Sequence, residues 1–167
     1  MQKIIKYCPN CTSLDLIFKE NNMKCNACNF TLFHNVASAT AILIKYEDEI
    51  LFVERNRDPK KGFLDLPGGF VDYNETAEEG IIREVFEELQ INITKNQINY
   101  IASFPNTYLY KDVLYHTLDL FFEIKLIEKP KITLEKDEIF AFLWINKHKI
   151  PLEKLAFDSH KRMINIL

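Results

Sequence analysis

The stretch from Gly69 to Ile91, GFVDYNETAEEGIIREVFEELQI, constrains this chain more than any other. It leaves a Pro67-Gly68-Gly69 turn and runs into an acidic segment with helical periodicity. Ala77, Ile81, Val85 and Leu89 recur every four residues, and Ile82 and Phe86 widen the stripe, so one face of a helix is apolar and needs cover. Thr76-x-x-Glu79 has the form of a capping box and places the helix start at Thr76. Beside the apolar stripe, Glu84, Glu87 and Glu88 stand at i, i+3 and i+4, so their carboxylates project from one face. Like charges at that spacing repel. Acidic helices are often plain solvated faces. A hard cation with oxygen ligands, Mg²⁺ or Mn²⁺, would remove the repulsion and give the cluster a purpose. Pro67 pre-sets one φ, while Gly68 and Gly69 allow a tight turn and close backbone approach to a ligand. Gly80 costs roughly 1 kcal/mol against Ala inside a helix, which points to close packing against a strand.

This stretch resembles the signature of the Nudix hydrolases. That signature is Gly, five residues, Glu, seven residues, Arg-Glu, an aliphatic residue, any residue, Glu-Glu, any residue, Gly and an aliphatic residue. Gly69, Glu75, Arg83, Glu84, Val85, Glu87, Glu88 and Ile91 fill those places. Gln90 stands where the signature has Gly, at the helix end where Gly serves as a left-handed cap, so the exit from the helix is altered. The resemblance implies an α/β fold, the Nudix α/β/α sandwich with a mixed sheet. It implies Mg²⁺ or Mn²⁺ on Glu84, Glu87 and Glu88, with the Gly68 carbonyl as a further ligand. It assigns Glu75 and Arg83 a structural ion pair that aligns the neighbouring ligands. By spacing alone Glu79 competes for Arg83. The implied reaction is hydrolysis of the pyrophosphate linkage in a nucleoside diphosphate joined to another moiety, with ADP-ribose, NADH or a related dinucleotide foremost. Glu88 and Glu84 are candidates for the base. Glu138, and after it Glu135, resembles the place where several Nudix enzymes carry an extra glutamate; a solvated turn is the plain alternative.

All four cysteines fall early, as Cys8-x-x-Cys11 and Cys25-x-x-Cys28. Two such knuckles place four thiolates for a tetrahedral Zn²⁺. A pair of disulfides or a duplicated redox motif fits less well without a secretory leader. Leu14, Leu16 and Phe18 alternate before the turn Glu20-Asn21-Asn22, and residues 29–33 supply a returning strand. Residues 1–33 are therefore expected to form a zinc ribbon, whose folding energy comes largely from the metal. Its basic residues are Lys3, Lys6, Lys19 and Lys24 only, so a structural or dimer-forming role is expected. Residues 34–167 are expected to form the Nudix domain. A ribbon joined to that signature is similar to the zinc-ribbon Nudix proteins, which include NADH pyrophosphatases. The run SQPWPFPxS expected of those NADH enzymes is absent, and Ala102-Ser103-Phe104-Pro105-Asn106 stands nearest to it.

Residues 36–44 and 50–55 pattern as a hairpin of buried strands, followed by a loop at 56–62. Arg55, Arg57, Lys60 and Lys61 are either solvated or, in part, partners of substrate phosphates. Residues 100–105 pattern as a strand ending at Pro105, and 106–113 as a connection. Residues 115–127 are β-rich and are expected to form a central strand; 140–145 form another strand, and 156–167 a terminal helix. Tyr108, Tyr110 and Tyr115 offer either edge packing or a base-stacking surface. His160 is expected at the surface or in packing. A formal charge of −3 and pI near 5.8 argue against a long nucleic-acid partner, not against a small nucleotide. No apolar run is long enough for a bilayer span, so no membrane partner and a cytoplasmic location are expected. A homodimer is the expected oligomer. Two other readings stay open: a catalytically silent nucleotide-binding or regulatory domain, and a Nudix-like isomerase.

Overall fold

The computed structural model describes residues 5–167. Lys3 and the rest of residues 1–4, at the start of the expected ribbon, lie outside the described residues. The first elements are three short strands, β1 (Leu16–Phe18), β2 (Asn22–Cys25) and β3 (Thr31–Phe33), paired antiparallel in that order. The middle strand, unforeseen because four residues carry too little pattern, puts Cys25 and Met23 inward; both are fully buried.

The rest builds around β4 (Ala37–Tyr46) and β5 (Glu49–Arg55). These two pair only at their hairpin end, Lys45 with Ile50 and Tyr46 with Glu49, and then splay apart. Each half recruits its own partners. β4 pairs parallel with β8 (Val113–Leu126), which pairs antiparallel with β7 (Asn99–Tyr110). β5 is flanked by β6 (Leu64–Asp65) and β9 (Ile139–Asn146), both antiparallel. The mixed sheet follows from the parallel β4–β8 pair.

Side chains alternate across a strand, and β4 is buried on both faces from Ala41 to Ile44. Ile42 and Ile44 meet Ile81, Val85 and Leu89 of α1 (Ala77–Leu89), together with Leu51, Val53, Phe122 and Ile124. Ala41 and Leu43 face the other way, against Phe52, Phe121, Leu155 and Met163, the last from α2 (Asp158–Ile164). The helices thus cover opposite faces, which is the expected α/β/α layering.

α1 begins as its sequence requires: Thr76 Oγ1 accepts from the Glu79 amide, and the Glu79 carboxylate accepts from the Thr76 amide. That engagement takes Glu79 away from Arg83. At the other end Gln90 occupies the left-handed region at φ 56°, and its side-chain amide donates to the Phe86 carbonyl. The missing glycine is therefore met by a strained residue with a local hydrogen bond. Gly80 packs against the loop at Val71 and Glu75 rather than against a strand.

Two other expectations are corrected. β7 does not stop at Pro105 but runs on to Tyr110, and Lys111–Asp112 alone make the turn. β7 is the sheet's edge, so proline can occupy it without breaking an inner ladder. Residues 95–97 form a short 3-10 turn. The terminal helix is shorter than 156–167, and Leu167 is about half exposed.

Candidate active site

The loop from Pro67 to Val71 lies along the free edge of β4. The Thr40 amide donates to the Gly69 carbonyl, the Ile42 amide to the Pro67 carbonyl, and the Val71 amide to the Ser38 carbonyl. Gly68 has φ +146°, and a Cβ there would stand 2.1 Å from the Thr40 carbonyl oxygen. Only glycine can lie this close to β4. A Cβ on Gly69 would stand 2.4 Å from Glu84 Oε1. The two glycines do different jobs: one lets the loop reach the strand, the other makes room for a carboxylate of α1.

Arg83 gathers the acidic side chains. Its Nε donates to Glu75 Oε1 at 2.8 Å and its Nη2 to Glu75 Oε2 at 3.0 Å, a two-pronged pair. Nη1 reaches Glu84 Oε1 at 2.9 Å and Glu87 Oε2 at 3.0 Å, and Nη2 also donates to the Phe70 carbonyl. Glu88, next along the face, is buried and accepts from the Gly68 amide at 3.1 Å. Burial pushes its carboxyl well above the ordinary range, and the charges of Glu84 and Glu138 add to this. Burial raises Glu84 also, against the pull of Arg83. Glu138 is ion-paired to Arg57. Glu84 and Glu87 thus share Nη1 of Arg83, with Glu75 holding the guanidinium from its other edge, and the charges of Glu84 and Glu138 reach Glu88; among the described residues these carboxylates are not drawn together as closely as the cysteine sulfurs are.

This donor set fits a divalent cation. It is made of carboxylates with too little positive charge beside them, and oxygen ligands suit Mg²⁺ or Mn²⁺. The thiolates form a tighter group: Cys8, Cys11, Cys25 and Cys28 bring their sulfurs within 4.8 Å of one another. Cys8 and Cys28 sulfurs are 3.7 Å apart, and Cys11 and Cys25 sulfurs 3.6 Å. A tetrahedron with metal–sulfur bonds of about 2.3 Å has edges of about 3.8 Å, whereas a disulfide needs about 2.05 Å. Four free cysteines in this arrangement fit a zinc ribbon. Hydrogen bonds from Asn10 and from the Phe30 amide pull the Cys28 thiol down to about 6, and the contact with Cys28 helps push its neighbour Cys11 up in turn.

A cleft of about 200 Å³ opens beside Glu84. Its walls include Gly69, Phe70, Arg57, Tyr108 and Phe157. Its floor is a polar network that the sequence reasoning missed in large part. Asp65 is buried; Arg55 Nη1 donates to its Oδ2 at 2.7 Å, and His160 Nδ1 lies 2.9 Å from Oδ1, off the line of a hydrogen bond. Burial alone would raise the Asp65 carboxyl, but His160 and Arg55 outweigh it and hold it low. Of the two places expected for His160, surface or packing, it takes the second: it is buried edge-on to Phe121 and Phe157, and it lines the cleft. Asp119, also buried, accepts from Asn106 Nδ2, Thr117 Oγ1 and Ser159 Oγ. Among the basic residues of the 55–62 segment, Arg55 and Arg57 line the cleft. Tyr108 lines it as well, whereas Tyr110 and Tyr115 are 43% and 41% exposed on the hairpin beyond. The overlooked signal was a single aspartate inside each of two apolar runs, FLDL and TLDLFF. Such a residue on a buried strand must have a partner.

Solved Nudix structures share this frame. A Nudix hydrolase from Nitrosomonas europaea superposes at TM-score 0.67 and 21% identity, covering 96% of this chain and 91% of that one. A bifunctional NMN adenylyltransferase/ADP ribose pyrophosphatase from Francisella tularensis superposes at TM-score 0.64 and 25% identity, over 81% of this chain and 41% of that one. The chain belongs to the NUDIX domain family, whose profile matches residues 34–165. Among curated proteins it is 29% identical to an ADP-ribose pyrophosphatase of Methanocaldococcus jannaschii, over 87% of this chain and 79% of that protein. It is also 29% identical to an NAD-capped RNA hydrolase of Pseudomonas fluorescens, where the match spans 87% of this chain and half of the relative's length.

Proposed function

We propose that this protein hydrolyses the pyrophosphate linkage of a nucleoside diphosphate joined to another moiety, with ADP-ribose and NAD-type dinucleotides as the substrate class. The observation that carries the reading is the Arg83 hub, which holds Glu75, Glu84 and Glu87 together, with Glu84 lining a cleft and buried Glu88 next along the helix. A purely structural role does not call for three carboxylates on one arginine beside a fourth that is buried. Similarity to relatives named for ADP-ribose and NAD-capped RNA supports the substrate class.

In this reading Glu84, Glu87, Glu88 and the Gly68 carbonyl hold Mg²⁺ or Mn²⁺. When bound, the cation supplies neutralisation of the charge that develops on the phosphate oxygens. Arg83 and Glu75 keep the carboxylates aligned, a positioning task. Water adds to one phosphorus, the anhydride oxygen leaves on the other phosphate, and a glutamate takes the proton. Glu88, Glu84 and Glu138 are the groups within the cluster suited to that step. Arg57, paired to Glu138 and lining the cleft, faces the phosphates. Zn²⁺ on the four cysteines serves structure.

The test is phosphate release from ADP-ribose with Mg²⁺ or Mn²⁺ and a coupled phosphatase. E84Q and E88Q should each lower kcat by about 10²-fold or more while circular dichroism stays native. Full activity in both variants would refute the assignment.

A further inference from the structure

The cleft that Glu84 lines is lined as well by Asn106, Thr117 and Asp119. Side chains alternate along a strand, so Phe104, Asn106 and Tyr108 of β7 share a face with Thr117, Asp119 and Phe121 of β8. α2 closes that face with Ser159 and His160. The central group is Asp119, 5% exposed, which accepts from Asn106 Nδ2 at 2.9 Å, Thr117 Oγ1 at 2.6 Å and Ser159 Oγ at 2.6 Å. An amide can face a carboxylate only through its nitrogen. Asp119 therefore forbids the flip that an isolated asparagine makes freely, and decides which way the Asn106 amide points.

Asn106 lines the cleft, and among the described residues its Oδ1 takes no protein hydrogen bond. One Nδ2 hydrogen is used by Asp119, which leaves the amide one donor and one acceptor. An amide so placed matches the N6 donor and N7 acceptor of adenine. Guanine offers two acceptors there, O6 and N7, and would set O6 against Oδ1. One wall is aromatic: Tyr108 packs on Phe157 at 5.8 Å and 37° and takes Phe70 edge-on at 5.5 Å, and such a cluster offers a flat base a surface to lie against. Arg55 Nη2 is buried without a partner, but either purine could supply it an acceptor, so it does not discriminate. The volume of about 200 Å³ suits one ring system, below the roughly 300–1,000 Å³ of pockets that enclose a whole drug-sized ligand.

We infer that Asn106, with its amide oriented by Asp119, is the specificity-determining contact of this cleft and selects an adenine-containing nucleotide over a guanine-containing one. The inference rests on the diphosphohydrolase reading for its place in the reaction. Asn106 touches the base; Asp119 is a positioning residue that acts through it.

The experiment compares kcat/KM for ADP-ribose and for guanosine diphosphate-ribose, which differ only in the base. The wild type should favour adenine by about tenfold or more. D119N puts an amide opposite Asn106, so either orientation becomes available, and the ratio should fall to within about threefold. N106L should erase the ratio as well, and carries the test if D119N fails to fold by circular dichroism. A merely structural role for Asp119 would lower both rates together and leave the ratio in place. A wild-type ratio near one, or a ratio unchanged in the folded variants, would overturn the inference. If neither compound is hydrolysed, the diphosphohydrolase reading fails by itself. Calorimetric titration with AMP and with GMP then still reads the base preference, and equal affinities would overturn it.

Discussion

At the scale of single residues, Glu88 is the most consequential group in the molecule. Burial and the neighbouring charge of Glu84 keep its carboxyl protonated to well above the ordinary carboxylate range. In the unfolded chain the same group ionises near ~4.3. Over the interval between, the folded state binds more protons than the unfolded state, so stability is present below it and is lost as pH rises through it. Metal-free protein should therefore show a falling melting temperature from about pH 4.5 upward. Mg²⁺ should restore the loss, because a cation that binds the ionised site stabilises the folded state by mass action. E88Q should flatten the slope. Scanning fluorimetry in EDTA and in Mg²⁺ across that range checks all three; a melting temperature independent of pH in EDTA would contradict the burial argument.

Elements show how neighbouring residues of one type acquire separate duties. Gly68 and Gly69 stand together, yet a side chain on the first collides with backbone of β4 and one on the second with the carboxylate of Glu84. Backbone in a paired strand cannot yield, whereas a carboxylate can swing away. G68A should lower unfolding stability by about 3 kcal/mol, since overpacking and a positive φ combine. G69A should leave the melting temperature nearly in place and lower turnover by about 10²-fold through a displaced Glu84. Denaturant melts and initial rates on the two variants separate these outcomes. A G69A enzyme with normal turnover would show that Glu84 has no fixed place in the reaction. The same scale explains β7: Pro105 reads as a strand end when strands are considered singly, but an edge strand tolerates it.

For the molecule as a whole, the contrast lies between a small three-stranded sheet with four clustered cysteines and a sheet with its own apolar core on each face. The described part of the ribbon has three short strands and buries little beyond Cys8, Met23 and Cys25. Two layers of apolar side chains flank β4 in the remainder. The ribbon's integrity should therefore depend on its cation, and the core's should not. C25S should lower bound zinc by the equivalent of one site, measured with a chromogenic chelator. It should make residues 5–33 sensitive to protease while the sandwich keeps its melting transition. Undiminished zinc in that variant would refute the four-cysteine site.

Sequence alone determined the parts of this protein that are local or periodic. The capping box, the apolar stripe of α1, the Glu75–Arg83 spacing and the two cysteine knuckles are set within one turn, one helix or a fixed short separation. Such spacings carry their geometry with them, and the family signature is made of them. Tertiary structure decided what depends on pieces far apart in the chain. Asp65, Asp119, Asn106 and His160 come from β6, β8, β7 and α2, and no sequence interval records that they share one cleft or that Ser159 supports Asp119 from behind. Whether Glu79 or Glu75 would take Arg83 was also settled by packing, because the capping box engaged Glu79 first. A buried charge announces that it needs a partner; only the folded chain names which one.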